Sequence, residues 1–181
     1  MEFSRYTWHI GGVPSDILNS YDIKHKKIVI PLKDYSNFKP TILGENIYVY
    51  KGVHGNRPDY FKWDEIINPL IEVFGKERVV FTNHLPIENL VKNIYEDCFI
   101  YIKPNPRGGN TTMWELGHMG RRTLGFGLEE TGYYKNYTDI NNLIDLVVGE
   151  SKYIGQMRED VVTSTKNIFV GDEWLTLKFW V

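Results

Sequence analysis

Several things are scarce in this sequence, and each scarcity removes a class of function. One cysteine in 181 residues excludes an internal disulfide and suits a reducing compartment. That cysteine, Cys98, stands in "EDCFIYI", the setting of a buried strand residue rather than of a nucleophile. No apolar run approaches the ~20 residues of a membrane span, and "MEFSRYTWHIGG" has no signal peptide's apolar core. A cytoplasmic location is therefore expected. Charge of one sign is also lacking: 21 Lys and Arg against 23 Asp and Glu leave a formal net charge of -2, which gives no global attraction to nucleic acid or to an anionic membrane surface. Any phosphate must then be gripped locally. Histidines and carboxylates show no metal-ligand spacing, and there is no internal repeat, low-complexity segment or obvious linker. What remains is an ordinary globular composition, 42% hydrophobic and 24% charged, enough to bury the core of one domain.

Strand signals are "KKIVIPL" (26–32), "NIYVYKG" (46–52), "RVVFTNH" (78–84), "CFIYIKP" (98–104) and "RTLGFG", each apolar, β-branched or aromatic and bounded by turn residues. Helical spacing runs through "YFKWDEIINPLIEVFG", where Trp63, Ile66, Ile67, Leu70, Ile71 and Phe74 recur on one face, with Pro69 expected to kink or break it. "LPIENLVKNIYED" reads as an amphipathic helix opened by Pro86. "TDINNLIDLVVG" is a helix capped by Thr138 or Asp139, and a polar helical tail ends in "DEWLTLKFW". Strands alternating with helices from 46 to 148 predict βαβ units: a Rossmann-like α/β fold, a parallel sheet with helices on both faces.

In such sheets ligands bind where strands end and loops lead into helices. That places "NPRGGNTTMWELGHMGRR" (105–122) at the ligand face, between a strand and a helix whose free N–H groups and positive dipole end suit an anion. Gly108 and Gly109 let the backbone approach a phosphate closely. Asn110, Thr111 and Thr112 cap the helix or donate hydrogen bonds, and Arg107 adds a bidentate donor. Glu115, one turn in, has the chemistry to accept from both hydroxyls of a ribose. The same residues also fit a plain helix start, with Thr112 and Glu115 as a capping box and Gly120 as C-cap.

The register of these residues resembles the donor-binding half of GT-B glycosyltransferases, in which a glycine-containing loop, a ribose-binding glutamate and a later glycine recur. The resemblance covers about residues 28 to 180 and divides the chain into an N-terminal segment (1–27), an interdomain or acceptor-side piece, and a nucleotide-sugar-binding domain (28–181). It implies that Glu115 holds the donor ribose while Arg107, Gly108, Gly109 and Asn110 meet the diphosphate, with Thr111 beside them. Gly52 and the loop carrying His54 and Arg57 would approach the donor from the first strand, and Pro86 and Ile87 would contact the base. No cofactor is implied, because the nucleotide diphosphate sugar, a UDP or GDP sugar, is a substrate and the leaving diphosphate is neutralised by helix N-termini and basic side chains rather than by a metal. Arg107 stands where retaining members carry a second glutamate, and Arg122 where proline is usual. The family uses two Rossmann-like domains and this chain shows one, so the acceptor site is expected from a longer chain, a partner subunit or a homodimer. The base that activates the acceptor would come from there, or from His54 or His9.

Other readings use the same residues. "TTMWELG" also looks like the "GT-x-x-E-x-G" segment of nucleoside 2-deoxyribosyltransferases, in which the glutamate is the nucleophile, although Gly109 stands where an acidic residue is expected. A non-catalytic nucleotide-binding module is the third reading. His54 and Arg57 also fit a solvated loop, and His118 suits a partner in a core hydroxyl or backbone oxygen. His84 ends a strand at the ligand face. Trp174, Phe179 and Trp180 read as core or interface.

Overall fold

The computed structural model describes residues 7–10, 25–28, 34–50, 63–82, 85–104, 111–128 and 130–168, with backbone alone at 7–10, 25–28, 63 and 82. Its order is β1 (Thr7–Ile10), β2 (His25–Ile28), β3 (Asn46–Tyr50), α1 (Trp63–Phe74), β4 (Val79–Thr82), α2 (Ile87–Leu90), a π-helical turn (Val91–Tyr95), β5 (Cys98–Ile102), α3 (Thr111–His118), β6 (Arg122–Gly125), β7 (Tyr134–Asn136), α4 (Ile140–Ser151) and α5 (Glu159–Lys166). β1 and β2 pair in parallel as a separate two-stranded sheet, and the other five strands form one sheet in the order β4-β3-β5-β6-β7. Every pairing in that sheet is parallel, with Ile47 opposite Ile100 and Tyr48 opposite Tyr101.

Two-sided burial follows from the strand sequences. All five residues of β5 are buried, as the continuous apolar runs of a covered parallel sheet require. Alternation then sorts side chains between two cores. Ile47, Val49, Ile100 and Ile102 pack on one face with Ile66, Ile67 and Leu70 of α1 and Leu143 and Val147 of α4. Tyr48 and Tyr101 point to the other face, against Met113, Trp114 and Leu116 of α3, Tyr95 of the π turn and Val161 of α5. Right-handed crossovers explain the layers: β3 to β4 and β5 to β6 run in opposite directions along the sheet, which puts α1 and α3 on opposite faces.

Several local expectations are met, the break expected as one outcome at Pro69 does not occur, and one expectation is corrected. Asp139 caps α4, its carboxylate accepting from the Asn142 N–H at 3.0 Å. Gly120 ends α3 with φ +91°, where only glycine is unstrained. Cys98 is fully buried. Pro69 does not break α1, which runs as one helix through it. The amphipathic helix expected over 85–97 is only four α-helical residues, followed by the wider π turn closed by Glu96 N–H to the Val91 carbonyl at 3.0 Å. Periodicity cannot reveal that widening, because the π turn is chosen by what its side chains meet.

Buried charge ties the frame together. Arg121 is fully buried and donates to the carbonyls of Cys98, Thr41, Ile42, Glu96 and Met119. Arg122, at the start of β6, pairs with Glu150, which also accepts from Arg158 at 2.8 Å. Arg158 in turn reaches Asp160 at 2.6 Å and lies over the Tyr153 ring. Arg122 thus has a structural employment in clamping α4 and α5 to the sheet.

Candidate functional site at the reversal of strand order

A parallel α/β sheet opens a crevice at the carboxyl ends of two neighbouring strands whose connections leave in opposite directions. Here those strands are β3 and β5: the chain passes from β3 to β4 on one side and returns to β5 on the other. The sequence after β3 holds Gly52, His54 and Arg57, and the sequence after β5 holds Arg107, Gly108, Gly109 and Asn110. These seven residues lie outside the described residues, as do His84, Trp174, Phe179 and Trp180, and His9 in β1 is described by its backbone alone. The described part of the expected site is Thr111, Glu115, Pro86 and Ile87.

Glu115 sits in the second turn of α3, 4% exposed, and its Oε2 accepts from the Tyr95 hydroxyl at 2.7 Å. Because α3 begins at Thr111, Thr112 is already inside the first turn. A capping box on Thr112 and Glu115, which needs Thr112 ahead of the helix, is therefore not formed. The Thr112 side chain instead acts on the Tyr95 hydroxyl, whose pKa it lowers against the larger effects of burial and of Glu115. Among the described residues, Tyr35, Tyr48, Tyr95 and Tyr101 all feel the charge of the carboxylate, and Tyr95 touches it. Tyr48 stacks on Tyr101 at 5.3 Å between centroids and meets Tyr95 at 5.8 Å. Burial first, and then the Glu115 charge among other neighbours, raises all four hydroxyls, Tyr35 to about 12 and the others further. Each therefore stays a neutral donor across the physiological range.

Pro86 and Ile87 are both exposed at the start of α2, on the segment that follows β4. They share the sheet's carboxyl edge with the crevice but come from an outer strand. His118 bonds the Trp114 carbonyl through Nδ1 at 2.7 Å and stacks on Tyr35 at 5.0 Å. Burial is the main cause that lowers its pKa, so it is a packed core histidine, with the backbone oxygen partner its position suggested.

Two groups escaped sequence reasoning. Lys103 directly follows β5 and is 5% exposed, and burial lowers its ammonium to about 8. A lone lysine in "CFIYIKP", just ahead of the glycine segment, was the available signal. Tyr95 falls within the segment expected to be an amphipathic helix, where nothing singles it out, although a buried tyrosine hydroxyl needs a partner. Among the described residues no group of His, Cys, Asp or Glu is placed to hold a metal ion, and no helix is long and apolar enough to cross a membrane.

No family model matches this chain, and no curated protein matches it in sequence. Solved structures do match it. Sucrose-phosphate synthase from Thermosynechococcus elongatus aligns with a TM-score of 0.54 at 14% identity, over 96% of this chain and 56% of that one. The pneumococcal O-GlcNAc transferase GtfA, solved with UDP and GlcNAc, aligns with a TM-score of 0.43 at 11% identity, over 91% of this chain and 42% of that one. The chain thus spans little more than half the length of the synthase. At such identity the likeness is one of architecture, a Rossmann-like parallel α/β sheet covered by helices that this chain shares with part of the synthase.

Proposed function

We propose that this chain binds the donor in a glycosyltransferase reaction, the donor being a nucleotide diphosphate sugar. One observation carries the reading: Glu115, a buried carboxylate, stands in the second turn of the helix that follows β5, beside the reversal of strand order, with an Arg-Gly-Gly-Asn segment just ahead in sequence. A carboxylate accepts from two vicinal hydroxyls at once, the pattern a ribose presents. The fold likeness to a synthase of which this chain spans 56% supports it.

In this reading Glu115 takes the ribose hydroxyls. Arg107, the amides of Gly108 and Gly109, Asn110, and Thr111 at the start of α3, meet the diphosphate. Gly52 and Arg57 approach from the β3 side, and Pro86 and Ile87 lie against the base. In transfer, the bond between the anomeric carbon and the diphosphate oxygen breaks and the diphosphate leaves with the electron pair. Arg107 and the helix N-terminus stabilise the charge that builds there. The acceptor hydroxyl bonds the anomeric carbon and gives its proton to a base, supplied by a second domain, a partner subunit or a second copy, or by His54 or His9 of this chain.

Isothermal calorimetry with UDP, GDP, their sugar conjugates and deoxynucleosides tests this. A diphosphate nucleotide should bind, Arg107→Ala should abolish binding, and Glu115→Ala should weaken it about ten- to a hundred-fold, the roughly 1.5–3 kcal/mol of a hydrogen bond to a charged group. Binding of deoxynucleosides alone would instead make Glu115 a nucleophile at the anomeric carbon, and silence across the panel would leave a module without this chemistry.

A further inference from the structure

The donor reading assigns a task to Glu115 but leaves open what holds that side chain still. A glutamate has three rotatable bonds, and fixing it on binding costs affinity. The described structure contains the device that fixes it beforehand. Tyr95 is fully buried and donates its hydroxyl to Glu115 Oε2 at 2.7 Å. Its ring packs against Tyr48. The backbone under it is held as well: the Cys98 thiol donates to the Tyr95 carbonyl at 3.3 Å, and Arg121 donates to the next carbonyl, that of Glu96, at 2.9 Å. The hydroxyl therefore cannot follow a moving carboxylate, so the carboxylate must settle where the hydroxyl is.

The backbone of this segment is itself unusual. Tyr95 closes the π turn Val91–Tyr95, a geometry that is rare, recurs as single turns at functional sites, and brings the residue around by a step that an α-helix would not take. Thr112, one turn before Glu115 on α3, acts on the same phenol, lowering its pKa. A carboxylate has two oxygens with about four lone-pair sites, so the bond to Tyr95 does not by itself exhaust it.

We propose that Tyr95 is a positioning residue for the nucleotide sugar: by holding one oxygen of Glu115 it sets the carboxylate on the 2′- and 3′-hydroxyls, and so makes the site prefer ribonucleotides over 2′-deoxyribonucleotides. The inference rests on the donor reading above and deepens it, because it names the atom that decides sugar recognition in the nucleotide. Tyr95 itself touches no ligand.

The experiment is a comparison of UDP with 2′-deoxy-UDP, and of GDP with 2′-deoxy-GDP, by calorimetry on the full chain and on its Tyr95→Phe variant. Wild type should prefer the ribo form by about ten-fold, the equivalent of one hydrogen bond. Tyr95→Phe should bind the ribo form roughly three- to ten-fold more weakly and the deoxy form almost unchanged, so that the preference collapses. A merely structural tyrosine would lower the melting temperature and leave the ratio alone, and a retained ratio would overturn the proposal. Should Tyr95→Phe not fold, Thr112→Val removes the hydroxyl that acts on the phenol, at nearly constant volume, and the same collapse or retention decides. A wild type that binds diphosphate nucleotides, loses them in Glu115→Ala, and keeps its ratio in Tyr95→Phe defeats this inference alone. A wild type that binds none of the four defeats the donor reading with it.

Discussion

Arg121→Met is the substitution with the largest consequence that can be worked from the described contacts. The side chain is fully buried, and its guanidinium donates to the carbonyls of Cys98 at 3.1 Å, Thr41 at 3.2 Å, Ile42 at 2.9 Å and Glu96 at 2.9 Å, with Met119 and the Thr41 hydroxyl as further acceptors. Those acceptors belong to the segment before β3, the turn into β5 and the turn out of α3, so one fork joins three stretches distant in sequence. Methionine matches the stem but donates nothing. Five carbonyls at about 1 kcal/mol each give about 5 kcal/mol, and partial rehydration reduces this to the 3–5 kcal/mol of breaking a buried charge network. Set against a typical total stability of about 5–15 kcal/mol, that is a large fraction. With an m-value of about 2 kcal/mol/M, the urea midpoint should fall by about 2 M. Arg121→Lys keeps the charge but has three donors on one nitrogen instead of a planar fork, so it should recover less than half of the loss. Equilibrium urea unfolding followed by tryptophan fluorescence measures both. A midpoint shift below about 0.5 M for methionine, or a lysine variant equal to wild type, would refute the claim that this fork organises the domain.

Two further substitutions probe the same frame. A Cβ on Gly117 would stand 2.4 Å from Thr165 Oγ1, which is itself anchored to the Val161 carbonyl at 2.7 Å; Gly117→Ala should therefore cost about 1–2 kcal/mol at the α3–α5 contact, even though alanine favours a helix by up to about 1 kcal/mol over glycine, and a raised melting temperature would contradict it. Lys103 carries a pKa lowered by burial to about 8, so between that value and its ordinary 10.5 the unfolded chain binds the proton and the folded chain does not. Its contribution should make stability rise with pH from about 8 upward, a rise seen in melting temperatures between pH 7.5 and 9.5 and removed by Lys103→Met, which should itself be more stable than wild type at pH 7; a flat difference between the two proteins over that range would rule this out.

Much of the frame could be read along the chain because it depends on neighbours in sequence. Apolar runs such as "NIYVY" and "CFIYI" state that both faces of a strand are covered, and β3 and β5 are built in that way. Asp139 and Gly120 act through groups within a turn of themselves, so their capping roles needed no tertiary information. The place of Glu115, one turn into a helix after a strand, was legible for the same reason.

Charge and hydroxyl chemistry were less legible, because their meaning depends on who stands opposite. Arg121 and Arg122 look alike in "MGRRT", yet one is sunk among carbonyls and the other pairs with Glu150 across the sheet edge. Nothing in "KNIYED" marks a π turn, since its widening is rewarded only by the meeting of Tyr95 with a carboxylate twenty residues later.

The amino-acid pattern, then, was sufficient for the alternation of strands and helices, their caps and the burial of their faces, all of which are short-range consequences of periodicity and turn chemistry. Packing in three dimensions was needed for the strand order that reverses between β3 and β5, for the meeting of Tyr95 with Glu115, and for the burial of Arg121 and Lys103. Those depend on contacts between segments far apart in the chain, where a hydrogen bond or a desolvated charge takes its value from its partner.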